Sequence, residues 1–127
     1  MKNILAKLAL IILFSYSLLG ATTSPNNAEA MPSTVRGIYI TQTTLEDTQF
    51  IKYLIANAKN TGINTFVIDL DKPSKRYQQN IELVKESGIA YVARIVMFPG
   101  GGTTEQVSSP SYWQRKYGLV QAAVGYG

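Results

Sequence analysis

The feature that most constrains the fold of this chain is a repeated alternation of strand-like and helix-like segments. Residues 35–41, 65–70 and 90–98 are rich in β-branched and aromatic side chains, which favour β-strands. Each of these segments is followed by a stretch in which apolar residues recur at helical spacing. Strands that alternate with helices are typical of parallel βαβ units, so the sequence predicts an α/β fold with a parallel sheet.

Capping and stop residues predict where the helices begin and end. Thr43 and Glu46 have the spacing of a capping box, which predicts the start of the first helix, and Gly62 predicts its end. Ser74 and Gly88 mark the second helix in the same way. The residues predicted to pack the helices on the sheet are Phe50, Ile51, Leu54 and Ala58 in the first, Tyr77, Ile81 and Val84 in the second and, in a third helix beginning at Pro110, Trp113, Tyr117, Val120 and Val124.

The first thirty residues have the layout of a secretory signal peptide. Two lysines precede or flank an apolar run over residues 8–19, and a stretch of small and polar residues leads to an A-x-A pattern that ends at Ala30. The run is shorter than the roughly 20 residues of a membrane span, although an uncleaved anchor is the alternative. We therefore predict that residues 1–30 are the signal peptide and cleavage region. The mature chain is then exported to the periplasm, the cell envelope or the medium, with no stable membrane span.

Composition excludes several kinds of site. The sequence has no cysteine and no histidine, which rules out disulfides, thiol nucleophiles, Ser-His-Asp triads and zinc sites built from these residues. We expect no metal and no cofactor, and the chemistry must use carboxylates, tyrosines, lysines, arginines or hydroxyls. The net charge of +4 is modest, and the basic clusters at residues 72–76 and 115–116 predict solvated helix starts, with no nucleic-acid partner. No G-x-G-x-x-G motif follows the first strand, which disfavours a nucleotide-binding sheet.

Alternation along the strands predicts that four polar side chains share one face of the sheet. Successive side chains of a strand point to opposite faces, so Tyr39, Asp69, Asp71 and Arg94 are expected opposite the apolar face that packs on the helices. In a barrel, this polar face lines the interior and approaches the C-terminal mouth, where barrel enzymes have their active sites.

Three strand motifs, taken in order, give the chain a resemblance to a known family. They are GIYIT in the first strand, VIDLD in the second and ARIVMF in the third. Together they resemble the first three strands of a glycoside hydrolase family, formerly classed as a domain of unknown function, whose (β/α)8 TIM barrel is related to the α-amylase-like hydrolases. The resemblance implies that residues 31–127 form the first three βα units of such a barrel. It also implies that the protein is an exported glycoside hydrolase with a carbohydrate substrate.

The resemblance implies roles for the polar side chains of the sheet. We expect Asp71 to be catalytic and Tyr39, Asp69 and Arg94 to contact the substrate. Glycoside hydrolysis normally uses two carboxyl groups on opposite sides of the scissile bond. The family's fourth-strand motif, which bears a further Asp, has no counterpart in this sequence, so we expect a truncated and inactive fragment without the main catalytic carboxylate.

Each of these residues also has a structural alternative. Asp71 can be a solvated strand-end residue, and Asp69 and Arg94 can pair with each other inside the fold. Tyr112 and Trp113 can stack on a sugar ring or anchor the third helix. For the whole chain, the alternative function is a non-catalytic exported α/β module that binds a glycan or a protein partner.

Overall fold

The computed structural model describes residues 31–127, so the predicted signal peptide and cleavage region at residues 1–30 lies outside the described residues. This part of the chain contains three strands and five α-helices. In chain order they are β1 (Gly37–Ile40), α1 (Gln42–Glu46), α2 (Thr48–Thr61), β2 (Thr65–Asp69), α3 (Lys75–Glu86), β3 (Ala90–Arg94), α4 (Thr104–Ser108) and α5 (Pro110–Tyr126), with a 3₁₀ turn at Pro99–Gly101.

The three strands form one parallel sheet in the order β1-β2-β3. Gly37 of β1 pairs with Thr65 of β2, which pairs in turn with Ala90 of β3. Parallel neighbours need a crossover connection, which α1 and α2 supply between the first two strands and α3 supplies between the last two. The predicted α/β class with a parallel sheet is therefore confirmed.

The hydrophobic core lies between one face of the sheet and the helices. Phe66, Ile68 and Leu70 alternate along β2 and the residue after it, and all three side chains are fully buried on this face. The helices cover them with Leu45 from α1, Ile51 and Ala58 from α2, Tyr77, Ile81 and Val84 from α3, and Leu119 from α5. Because residues paired across parallel strands share a face, the opposite face presents the polar side chains of the strands.

The first helical segment is divided into two helices, which the sequence pattern does not predict. Thr41 caps α1 by accepting a hydrogen bond from the Thr44 N–H. Asp47 ends this short helix and caps α2, because its carboxylate accepts two hydrogen bonds from N–H groups in the first turn of α2.

The predicted capping box of Thr43 and Glu46 is wrong. Thr43 lies inside α1, and the Glu46 carboxylate accepts hydrogen bonds from the Ser74 hydroxyl at 2.6 Å and the Gln42 amide at 2.9 Å. These two donors, Ser74 first, lower the pKa of Glu46 below its usual value. Glu46 therefore ties α1 to the start of α3, a tertiary role that local spacing does not reveal.

The predicted boundary signals of the next elements are confirmed. Gly62 ends α2 with a φ of 73°, a left-handed conformation that favours glycine. Ser74 caps α3 by accepting a hydrogen bond from the Tyr77 N–H at 3.0 Å. Tyr77, Ile81 and Val84 are buried as their spacing predicts.

A buried asparagine on α3 was not predicted by the apolar pattern. Asn80 is 2% exposed, and its Nδ2 donates to the Leu45 carbonyl at 2.7 Å. Its side chain also hydrogen bonds with the Thr48 hydroxyl. Asn80 therefore joins α3 to the junction between α1 and α2, and its polar atoms are satisfied without water.

The predicted packing face of α2 is correct in part. Ile51 and Ala58 are buried, and Leu54 packs against the core. Phe50 is 46% exposed instead and stacks on Tyr53, with 5.9 Å between the ring centroids. Phe50 lies in the first turn of the helix, where its ring reaches past the edge of the core.

The predicted packing face of α5 is wrong. Tyr117 and Val124 are 69% and 76% exposed, Val120 is exposed and Trp113 is half-buried. The buried residues of α5 are Tyr112 and Leu119, and the further residues that pack on the core are Ala122, Ala123 and Tyr126. The helix packs against α3 and α4. It has two apolar stripes at helical spacing, and periodicity does not determine which of them packs.

The third strand is shorter than predicted, because β3 ends at Arg94 and not at residue 98. Beyond that point the backbone finds partners on α5. The Val96 carbonyl accepts a hydrogen bond from the Lys116 ammonium, and the Met97 carbonyl accepts one from the Tyr112 hydroxyl. Side chains from a distant helix therefore satisfy backbone groups that a longer strand would leave to a neighbour.

Candidate functional site

The three parallel strands bring Tyr39, Asp69 and Arg94 together on the face that the helices do not cover. Asp69 and Arg94 are paired positions at the carboxyl ends of β2 and β3. Tyr39 pairs with Val67, so it lies diagonally across from Asp69, within reach of a long side chain. The sequence predicted this shared face, and the parallel register sets these three residues close together.

The three side chains form a connected hydrogen-bond network centred on Asp69. The Arg94 Nη1 donates to Asp69 Oδ1 at 2.7 Å, and the Tyr39 hydroxyl donates to Asp69 Oδ2. Arg94 also donates to the Tyr39 oxygen at 3.3 Å, and its guanidinium carbon lies 5.3 Å from the centroid of the tyrosine ring. Both carboxylate oxygens of Asp69 are therefore occupied, which is the self-satisfied pairing named as the alternative to a substrate contact.

Burial differs sharply within this network. The Asp69 side chain is 11% exposed, whereas that of Arg94 is 49% exposed and Tyr39 as a residue is 55% exposed. Tyr39 and Arg94 thus cover the carboxylate and present their own outer surfaces to solvent. A ligand at this edge of the sheet meets a tyrosine ring and a guanidinium, not the Asp69 oxygens.

Asp69 shifts the pKa values of both its partners. Asp69 accepts a hydrogen bond from the Tyr39 hydroxyl, and this bond raises the pKa of Tyr39 above its usual value. Burial and the negative charge of Asp69 act in the same direction. The hydrogen bond from Arg94 to Asp69, together with the charge of Asp69, raises the pKa of Arg94. The network therefore favours the protonated forms of Tyr39 and Arg94 over their deprotonated forms.

Asp71 lies outside this hydrogen-bond network. It is exposed and follows the end of β2, where its N–H donates to Gln42 Oε1 at 2.8 Å. Gln42 also accepts from the Lys72 N–H and donates to the Lys72 carbonyl, so one side chain clamps both residues of the loop. The charge of Asp71 adds a small contribution to the raised pKa of Tyr39. Asp71 is thus electrostatically linked to the network while its side chain faces solvent.

The structure places Tyr112 and Trp113 in packed positions. Tyr112 is 6% exposed, and Trp113 donates its indole N–H to the Val107 carbonyl at 2.8 Å. The two rings meet edge to face at 5.6 Å, and Phe98 meets Trp113 in the same way at 5.9 Å. These contacts favour the helix-anchor role for the two aromatics over sugar stacking.

Sequence reasoning missed a cavity of about 560 Å³ beside this edge of the sheet. It lies between the loop after β2 and α5, and Lys72, Arg115 and Lys116 line it together with Asp71. From the sequence, these cations are expected on separate solvated helix starts. The spacing of charges does not show which distant segments meet. One signal in the sequence could have indicated that the cations of α5 lie on one side of the helix. Tyr112 precedes Arg115 and Lys116 by three and four residues, and they lie 5.9 and 5.5 Å from its ring centroid.

Comparisons with known proteins do not assign the site to a family. No protein-family model, curated protein or solved structure matches the chain. In residues 31–127, no group of three acidic side chains comes together in a way that could hold a metal ion. None of the helices within that range is long and apolar enough to cross a membrane.

Proposed function

We propose that this chain is part of an exported glycoside hydrolase with a (β/α)8-type fold, and that its carbohydrate substrate binds at the carboxyl edge of the sheet. The observation that carries the proposal is the convergence of Tyr39, Asp69 and Arg94 on the helix-free face of three adjacent parallel strands. α/β proteins bind their ligands outside the carboxyl ends of such strands. The three strand motifs that resemble the hydrolase family support the same class.

The exposed parts of the network suit a sugar. The ring of Tyr39 offers a flat apolar surface for the C–H face of a pyranose, and half of the residue is free to make that contact. Arg94 uses Nη1 for Asp69 and Tyr39, and its remaining N–H groups can donate to sugar hydroxyls. Asp69 is a positioning residue in this scheme, because both of its oxygens are already engaged.

Asp71 is the proposed catalytic carboxyl group. Its side chain is exposed. Gln42 holds its backbone N–H, which fixes the position from which the carboxylate extends. Asp69 and Asp71 lie at the end of the same strand, so they cannot face each other across a glycosidic bond. The second carboxyl group of the hydrolase has to come from a different segment.

A non-catalytic glycan-binding module is the second candidate. The observation that favours it is that Tyr39 and Arg94 occupy both oxygens of Asp69, which joins the three side chains into one platform and removes one carboxylate from the chemistry. Such a platform recognises a sugar by stacking and by guanidinium hydrogen bonds. It then needs no contribution from Asp71.

The experiment measures binding with the purified chain, and hydrolysis with a protein that also contains the segment supplying the second carboxyl group. Oligosaccharide binding is followed by isothermal titration calorimetry, and hydrolysis by release of nitrophenol from aryl glycosides. The variants are Tyr39→Phe, Arg94→Gln and Asp71→Asn, with Lys52→Gln on the exposed side of α2 as the matched control. Each variant is first checked for a cooperative thermal transition.

The outcomes separate the two functions. A hydrolase loses about 10²- to 10⁴-fold in kcat in Asp71→Asn while substrate binding persists. A binding module shows no hydrolysis, binds sugar equally well in Asp71→Asn, and loses affinity in Arg94→Gln. If the chain neither binds nor hydrolyses any glycan of the panel, or if Arg94→Gln binds as the wild type does, the proposed site is wrong.

A further inference from the structure

The basic cavity beside the carboxyl edge of the sheet has a lining that the proposed function does not use. Lys72 comes from the loop after β2, and Arg115 and Lys116 come from the first half of α5. Asp71 supplies the one carboxylate among the lining residues, so the cavity carries an excess of two positive charges. Cations gathered from two distant segments make a site for an anionic group.

These cations are not neutralised within the fold. In the part of the chain that the structure describes, the one ion pair joins Arg94 to Asp69, and it lies outside the cavity lining. Lys116 donates to the Val96 carbonyl, which uses one of its three N–H groups and holds the ammonium in place. Arg115 lies over the Tyr112 ring, at 5.9 Å from its centroid. The two cations of α5 are therefore held beside Tyr112 without a carboxylate partner.

Apart from Gln106, the remaining walls of the cavity are largely apolar. Pro73 and Pro99 come from two loops, and Tyr112 and Leu119 come from α5. Pro73 and Pro99 are exposed, and their flat apolar rings can pack against the C–H face of a sugar. A volume of about 560 Å³ also exceeds what a lone inorganic anion fills, and it falls in the range of organic-ligand sites.

We propose that this cavity binds an acidic sugar, with the carboxylate of a hexuronate held by Arg115 and Lys72 and its ring packed on the exposed Pro73 and Pro99. This inference rests on the proposed function, because it names the substrate class of the same sheet edge. Asp71 joins the two places, since it lies two residues after the end of β2 and also lines the cavity. A guanidinium is well suited to the carboxylate, because its planar N–H groups match both oxygens.

The test uses the fluorescence of Trp113, which is the single tryptophan of the chain. Its ring lies 5.6 Å from that of Tyr112, which lines the cavity, so a ligand in the cavity is expected to change its fluorescence. The chain is titrated with sodium galacturonate, with galactose and with sodium sulfate at constant ionic strength. The variants are Arg115→Gln, Lys72→Gln and Arg94→Gln, and Lys52→Gln is the control because it removes one exposed cation remote from the cavity lining.

We expect galacturonate to bind, galactose to bind at least tenfold more weakly, and Arg115→Gln to weaken galacturonate binding about tenfold. Lys72→Gln should weaken it as well, and Lys52→Gln should leave it unchanged. Equal binding of both sugars, with loss in Arg94→Gln but not in Arg115→Gln, overturns the inference and leaves the proposed function standing. Binding of sulfate alone identifies a generic anion site and overturns the inference. If neither sugar binds to any form of the chain, the inference is wrong, and the proposed function is decided separately by the wider glycan panel.

Discussion

Asp69 and Arg94 occupy directly paired positions on β2 and β3, and the Arg94 Nη1 lies 2.7 Å from Asp69 Oδ1. One partner is buried more deeply than the other, because the Asp69 side chain is 11% exposed and the Arg94 side chain is 49% exposed. Tyr39 of β1 donates a hydrogen bond to the other carboxylate oxygen. The free end of the guanidinium and the tyrosine ring are consequently the surfaces that a ligand can reach.

The strength of this ion pair can be measured by a double-mutant cycle. Arg94→Gln is expected to lower the free energy of unfolding only slightly, because the guanidinium is exposed to water and solvent screens the pair. In an Asp69→Asn background the same substitution should have almost no effect. Urea denaturation of the four proteins measures the coupling. An equal cost of Arg94→Gln in both backgrounds would show that the arginine stabilises the fold through other contacts.

The pKa of Tyr39 should fall when its carboxylate partner is removed. Asp69 raises this pKa, so Asp69→Asn should bring it back towards the usual value, and Asp71→Asn should lower it by a smaller amount. Nuclear magnetic resonance of tyrosine labelled at the Cζ carbon follows the titration. Since the folded-state pKa is raised, the stabilisation is complete below the unfolded value of about 10 and is lost as the pH rises through the folded value. An unchanged Tyr39 pKa in Asp69→Asn contradicts the network.

The buried Asn80 should be important for stability, unlike its neighbour on α3. Asn80→Ala leaves the Leu45 carbonyl and the Thr48 hydroxyl without this partner, and should lower the free energy of unfolding by about 1–3 kcal/mol. The control is Gln79→Ala, because Gln79 is exposed and its loss should stay within about 0.5 kcal/mol. Chemical denaturation compares the two. Similar small losses at both positions would contradict the structural role of Asn80.

The packing face of α5 can be tested by comparing two apolar residues of the helix. Leu119 is 8% exposed and belongs to the core, so Leu119→Ala should cost about 2 kcal/mol or more. Val124 is 76% exposed, and Val124→Ala should change stability by less than about 0.5 kcal/mol. Thermal or urea denaturation distinguishes the two. A larger loss in Val124→Ala than in Leu119→Ala would instead support the packing face that the sequence pattern predicts.

The sequence predicted local elements well and their contacts poorly. Gly62 and Ser74 act through their own backbone neighbours, so their positions as helix stop and helix cap could be predicted. Glu46 has the spacing of a capping residue, but its carboxylate turns to Ser74, which lies 28 positions further along the chain. Whether Glu46 binds the backbone of its own helix or the Ser74 hydroxyl depends on how the helices pack, and residue spacing contains no such information.

The candidate site shows the same division. Strand alternation placed Tyr39, Asp69 and Arg94 on one face, because the two-residue period of a strand is a local property. The tertiary structure decided that Asp69 is saturated and that Asp71 stays outside the network. It also brought together the cations of the basic cavity, which come from segments about 40 residues apart in the sequence.

By itself, then, the sequence determined the alternation of strands and helices, the parallel α/β class and the polar face of the sheet. Each of these follows from short-range periodicity, backbone sterics and capping. Only the tertiary structure decided the register between strands, the face on which α5 packs, the premature end of β3 and the basic cavity. These features depend on competition between distant groups for the same buried space and the same hydrogen bonds, and that competition is resolved when the elements pack together.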